Sequence, residues 1–260
     1  MTLARPGGFV HDMATVASRA LRLIPREPEA FVPAIVVPVF FYLVNTGSLA
    51  TVSEDAAPGF DYYAFQLPVA IIFAVTGISR ASQLVTDIQD GYFDRLLMTP
   101  MSRRALLLGL MVADFALVMA LAVPVIILGF VTGVRFETGV AGILLFVLMA
   151  GLWGVVFTGF PYAIALKTGS PAAVNSSFLL FFPFAFLTTS FQPEEALAGW
   201  LATVARYNPV TYLLKGLRAL VMDGWALSPL LQGLAAIAVV GAVSQTLAFR
   251  ALNGRVKTGG

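Results

Sequence analysis

Few residues in this chain of 260 are placed to do chemistry. It has no cysteine and a single histidine, His11, which excludes thiolate chemistry, disulfides and a multi-histidine metal site. Neither Lys167-Thr168 nor Lys257-Thr258 completes a G-x-x-x-x-G-K-S/T phosphate loop, so the chain has no P-loop of its own. A serine–histidine dyad would have to recruit His11 from a flank outside every apolar segment. Two ionisable residues do lie inside apolar runs, Arg80 and Asp114. Charge in hydrocarbon is costly, so the two read either as a proton or ion relay or as a structural pair. An aromatic stripe, Phe178, Phe181, Phe182, Phe184 and Phe186, is a candidate to line a path for lipophilic cargo, with Phe178, Phe182 and Phe186 as its site residues.

A denser group stands at residues 87–104, DIQDGYFDRLLMTPMSRR. Asp87, Asp90 and Asp94 follow at steps of three and four, the spacing of one helical face. Tyr92, Phe93, Leu96 and Leu97 form a second, apolar face, with Gly91 and Arg95 between. Thr99-Pro100 forces a turn, and Ser102 is placed to cap the next helix. A helix over 87–98 with one acidic and one aromatic face offers a shape and a charge pattern to a partner.

What must hold these residues is membrane. Hydrophobic residues make up 58% of the chain and charged residues 12%, roughly half the ~25% charge of soluble domains. Mean hydropathy is +0.86. The fold class is therefore all-α integral membrane in one domain, 1–260. Six spans are predicted at about 31–49, 64–86, 105–132, 139–166, 172–191 and 228–250. The runs are too long, and alternate too little, for barrel strands. The first reads as a retained anchor rather than a cleaved signal, because its apolar run exceeds a signal core. Before it, residues 10–24 pattern as an amphipathic interface helix with Asp12, Arg19 and Arg22 on the polar side, ending at Pro25. Before the last span, residues 194–221 pattern as two short helices broken at Asn208-Pro209, an outer re-entrant hairpin carrying Tyr212 and Arg218. With the N-terminus inside, eleven Lys and Arg fall on the cytoplasmic side and four outside, with Arg80 intramembrane. That asymmetry predicts a multi-pass protein of the inner (plasma) membrane with both termini cytoplasmic.

In this order the features resemble the membrane subunits of type-2 ABC exporters, a family that includes permeases of the daunorubicin-resistance type and polysaccharide exporters. Its members carry acid-x-x-acid-G-x-x-acid-x-L after the second span and then T-P-x-S/T. Here these are Asp87, Asp90, Gly91, Asp94 and Leu96, followed by Thr99-Pro100-Met101-Ser102. The later N-P-x-T-Y and its arginine are Asn208 to Tyr212 and Arg218. The chain departs in having Ile88-Gln89 where relatives often place Arg and an acid, and Ala198 before Gly199 where a proline often precedes the Trp-Leu of the hairpin.

The resemblance implies that 87–98 is a coupling helix seated in a cleft of a separate ABC ATPase, with the interface helix beside it. Its apolar face would enter the cleft, while Asp90, Asp94 and Arg95 set the register. ATP and Mg would be bound by that partner, and no cofactor or metal by this chain. Six spans suit two permeases, a second copy or a homologue, with membrane lipid around them and no nucleic acid. The expected function is export of an amphipathic drug, lipid or glycolipid. The alternatives are an ion-coupled transporter using Arg80 and Asp114, and a scaffold that moves nothing.

Overall fold

A computed structural model describes residues 8–24, 28–76, 78–179 and 181–258, without the side chains of 28–31, 178, 257 and 258. Pro25 lies outside the described residues. Among them five stretches are long and apolar enough to cross a membrane: Val32–Ala56, Tyr62–Gln89, Arg103–Val131, Gly139–Thr168 and Leu227–Val256. They belong to α2 (Pro28–Ala56), the pair α3 (Tyr62–Thr76) and α4 (Ala81–Gln89), α6 (Arg103–Val131), α7 (Gly139–Thr168) and α12 (Leu227–Thr258). Within the run expected as a span over 172–191 the described helical residues are α8 (Pro171–Leu179) and α9 (Phe181–Phe186), on either side of residue 180, which lies outside the described residues. The apolar stretch Pro171–Phe186 is shorter than the five above.

The span expected over 64–86 is interrupted at residues 78–80, which are not helical. α3 is buried almost throughout and ends at Thr76, and α4 restarts after Arg80. Its two halves belong to different cores. One cluster gathers α3, the far half of α6 (Leu117 to Ile126), the near half of α7 (Phe146 to Phe157) and helix α11, Pro209–Arg218. The other gathers helix α1 (Phe9–Leu23), α4, Leu106 to Ala113 of α6, Tyr162 to Leu166 of α7 and Leu252 of α12. Because α6 and α7 pass through both, the cores lie end to end along the bundle. Without a hydrophobic drive between spans in lipid, close packing at small residues must hold them. At the α7–α12 crossing a Cβ on Gly159 would lie 2.6 Å from the Ser244 carbonyl carbon.

The interface helix is docked rather than loose. Val16, Ala17 and Ala20 of α1 are buried, against α6. A Cβ at Gly109 of α6 would come 2.7 Å from Val16 Cβ and 2.8 Å from the Met13 carbonyl oxygen. Nonbonded carbons settle at about 3.5–4.0 Å, so α1 must lift away if Gly109 becomes Leu. Ala17, 4% exposed, offers the check. In this cysteine-free chain an Ala17→Cys thiol is expected to resist a maleimide, and to react at least about tenfold faster when Gly109→Leu removes the seat, the factor of a ~1.4 kcal/mol shift toward open states.

Candidate functional site

The charged stretch 87–98 is not one helix. α4 ends at Gln89, Asp90 caps it, and Gly91 takes a left-handed conformation, φ 67°, before α5 begins (Tyr92–Leu97). Glycine adopts that conformation without the Cβ penalty other residues carry. The break leaves Asp87 and Asp90 on the α4 side and Asp94 on α5, so the single acidic face does not form. Asp87 is buried and accepts two hydrogen bonds of 2.9 Å from the Arg19 guanidinium on α1. That hydrogen bond raises the pKa of Arg19 still further above its ordinary value. The same guanidinium stacks over the Tyr92 ring, 4.1 Å from its centroid. Asp12 is likewise turned inward, and its Oδ2 accepts from the backbone N–H of Ser102 at 3.2 Å, capping α6 from another helix. Arg22 stays exposed.

The apolar face of α5 also turns inward. Phe93 is 4% exposed and sits in the second core, with Leu96 and Leu97 packed against it. This corrects the expectation for Phe93, which is not free to meet a partner; Tyr92, Leu96 and Leu97 are half-buried. A stripe that can bury against its own bundle does so, because that contact is always within reach. What α5 and its flanks leave outside are Asp90, Asp94, Arg95, Met98, Thr99 and Pro100. Met98, 88% exposed, escaped the sequence reading because the helix was drawn to end on it. The Thr99 hydroxyl donates to the Leu96 carbonyl at 2.6 Å and tightens the turn into Pro100.

The intramembrane pair meets through the main chain. The backbone N–H of Arg80, which starts α4, donates to Asp114 Oδ1 at 2.8 Å. The Tyr162 hydroxyl of α7 donates to Asp114 Oδ2 at 2.6 Å. Asp114 is fully buried. Tyr162 was absent from the sequence reading, although a tyrosine deep in a span needs a polar partner and could have been flagged on that ground. On the other side of the α3–α4 break, Trp153 Nε1 donates to the Thr76 hydroxyl at 3.1 Å. The phenylalanine stripe is divided. Phe181 is buried between Phe73 and Phe157, with centroids 5.7 and 5.4 Å away, and Phe186 meets Phe73 at 5.7 Å. Phe182 is 41% exposed, and the side chain of Phe178 is outside the described residues.

The hairpin's first helix starts later than the sequence pattern places it, and the hairpin is strongly tied. Glu194–Ala196 is a single 3-10 turn, and α10 (Gly199–Tyr207) precedes α11. Asn208 between them caps α11 by accepting from Val210 N at 3.0 Å, with Pro209 at the first helical position where its missing N–H costs nothing. Its amide donates to the Phe184 and Leu187 carbonyls at 2.7 and 2.9 Å, binding the hairpin to the end of α9. Arg218 is buried. It donates to the Phe65 carbonyl and to both oxygens of Thr189, and stacks 3.5 Å from the Phe65 ring centroid. The Tyr212 hydroxyl donates to the Arg206 carbonyl at 2.6 Å. A pocket of about 350 Å3 opens between hairpin and α3, with Arg218, Lys215, Glu195 and Asp223 on its walls.

The ABC-2 type transporter family model matches residues 11–222. The chain belongs to the ABC-2 type transporter family. A doxorubicin resistance ABC transporter permease of Mycobacterium tuberculosis is 25% identical over 246 residues, 93% of this chain and 89% of the relative. A daunorubicin resistance ABC transporter permease of Streptomyces coeruleorubidus is 25% identical over 211 residues, 80% of this chain and 74% of the relative. As a member of the family the chain is a multi-pass membrane permease subunit of an ATP-driven exporter, distinct from the ATPase. Among the described residues no group of three or more His, Cys, Asp or Glu could hold a metal ion.

Proposed function

We propose that this permease exports an amphipathic drug, lipid or glycolipid when a separate ATPase, which binds the ATP and Mg, acts on the exposed side of α5 from the cytoplasm. The two relatives' drug-resistance names favour amphipathic cargo. The excess of Lys and Arg on the α1 and α5 side favours a cytoplasmic position for that end and for both termini, in the inner or plasma membrane. A pair of permeases, identical or homologous, completes the assembly.

One observation carries the reading. α5 is a short helix held to the bundle through buried Phe93, while Asp94, Arg95 and the following Met98, with Asp90 just before the Gly91 break, are exposed. A polar rim around one exposed methionine suits a docking face more than a core element, since methionine adapts to a partner's surface. The ion-relay alternative is less well supported, because Asp114 is enclosed and both its oxygens already accept hydrogen bonds.

The test is to extract the tagged chain gently from its native membrane and identify what accompanies it. A stoichiometric P-loop subunit is expected, and its recovery should fall by about tenfold or more in Asp94→Arg with Met98→Asp, the size of effect a central interface residue gives. A chain that stays alone under cross-linking sinks the proposal.

A further inference from the structure

The break at Gly91 raises a mechanical difficulty. A load applied to α5 has to reach α4 and the bundle behind it, yet the two helices are joined through one left-handed glycine. A glycine junction rotates at low cost, so the backbone alone would let α5 tilt and absorb the displacement. Arg19 stands across this junction. Its two terminal nitrogens donate to both oxygens of Asp87, in the last turn of α4. The face of the same guanidinium covers the ring of Tyr92, the first residue of α5. The fork engages one side of the break through the edge of the cation and the other side through its plane, a use of arginine that lysine cannot reproduce. Arg19 itself sits on α1, one turn beyond Val16, which is seated on Gly109 of α6.

We propose that Arg19 is a positioning residue for coupling, a staple across the Gly91 break that makes α1, α4 and α5 move as one body. Displacement of α5 is then delivered to α4 and to the α3–α4 break above it, instead of being spent in rotation at Gly91. The inference rests on the reading of α5 as the element the ATPase contacts. Removing Arg19 leaves the buried Asp87 carboxylate without its cation and costs stability, so the recovery of each variant as a single species with its ATPase is measured beside the coupling signal.

The experiment uses the full chain with its co-purified ATPase in liposomes. The natural chain is cysteine-free, so one environment-sensitive fluorophore on Tyr207→Cys, at the 82% exposed end of α10, reports the far end of the molecule without any cargo. In the Arg19→Gln variant the ATPase is expected to stay bound and to hydrolyse ATP near the parent rate. The ATP-driven change in emission should fall by about tenfold, within the range that a lost coupling contact produces. Arg19→Lys should fall between the two. Tyr92→Leu, which keeps the Arg19–Asp87 pair but removes the ring under the cation, should lose a similar share of the signal. An unchanged signal in Arg19→Gln overturns the staple, as does a Tyr92→Leu variant that holds the ATPase and keeps the parent signal. Loss of the ATPase from Arg19→Gln also overturns it, by making Arg19 a contact. A parent chain that never binds an ATPase would instead defeat the reading on which the staple rests.

Discussion

Phe93→Asp is expected to yield a protein that fails to fold at its α1 and α5 end, rather than a well-folded permease that has lost its partner. Phe93 is 4% exposed and sits in the second core, which also holds Val16, Leu84, Leu110 and Leu166. Truncating a buried phenylalanine costs about 3–5 kcal/mol, and placing a carboxylate in the same site adds desolvation. Together these approach the whole stability of an ordinary domain, about 5–15 kcal/mol. The amount recovered as a single species in mild detergent should therefore collapse. Asp94→Arg, one residue along and exposed, should leave recovery unchanged and act only on the partner. Equal recovery of the two variants would show that the apolar side of α5 faces outward after all. The pair matters because the sequence pattern alone recommends Phe93 as the contact residue, and a folding defect in that variant could be mistaken for uncoupling.

At Asp114 the expected order is Ala far worse than Asn. Asp114→Ala strands the Tyr162 hydroxyl and the Arg80 backbone N–H, both inside the bundle. Each orphaned buried group costs about 1–3 kcal/mol, so a loss of about 4 kcal/mol is expected. For a chain of this size that is a drop of roughly 10 °C in the detergent melting midpoint. Asn keeps an oxygen for the Arg80 N–H and a polar neighbour for Tyr162, so its midpoint should fall by only a few degrees. The same two variants test the relay. A carboxylate that must gain and lose a proton is abolished by Asn as fully as by Ala, whereas a structural acceptor tolerates Asn. ATP-driven export that persists in Asp114→Asn supports the structural role. Export lost in Asp114→Asn while its melting midpoint holds would assign Asp114 to transport.

The two predictions and the Arg19 staple concern the same end of the molecule. Asp114 ties the start of α4 to α6 and α7, and Arg19 ties its end to α1 and α5. α4 is thus held by polar contacts at both ends and by apolar packing between them. Its neighbour α3, across the break, belongs to the other core.

The amino-acid sequence by itself determined that the protein is helical and membrane-embedded, and where most long helices run. Uncharged runs of twenty or more residues have no other stable form in lipid, since each backbone group must be satisfied within its own segment. It also carried the family, through Asp87 to Leu96 and Asn208 to Arg218. Local rules placed the Asn208-Pro209 cap, because a cap reads only its neighbours. The tertiary structure decided the rest. An apolar stripe looks the same whether it meets a partner or its own bundle, so Phe93 was legible as buried but not against what. Hydropathy is blind to a short interruption, so the break at 78–80 passes for continuous span. Asp87 and Arg19 stand 68 residues apart, and Asp114 and Tyr162 stand 48 apart. No periodicity in either segment announces such a partner, and only the packing of α1 on α6 and of α6 on α7 brings them together.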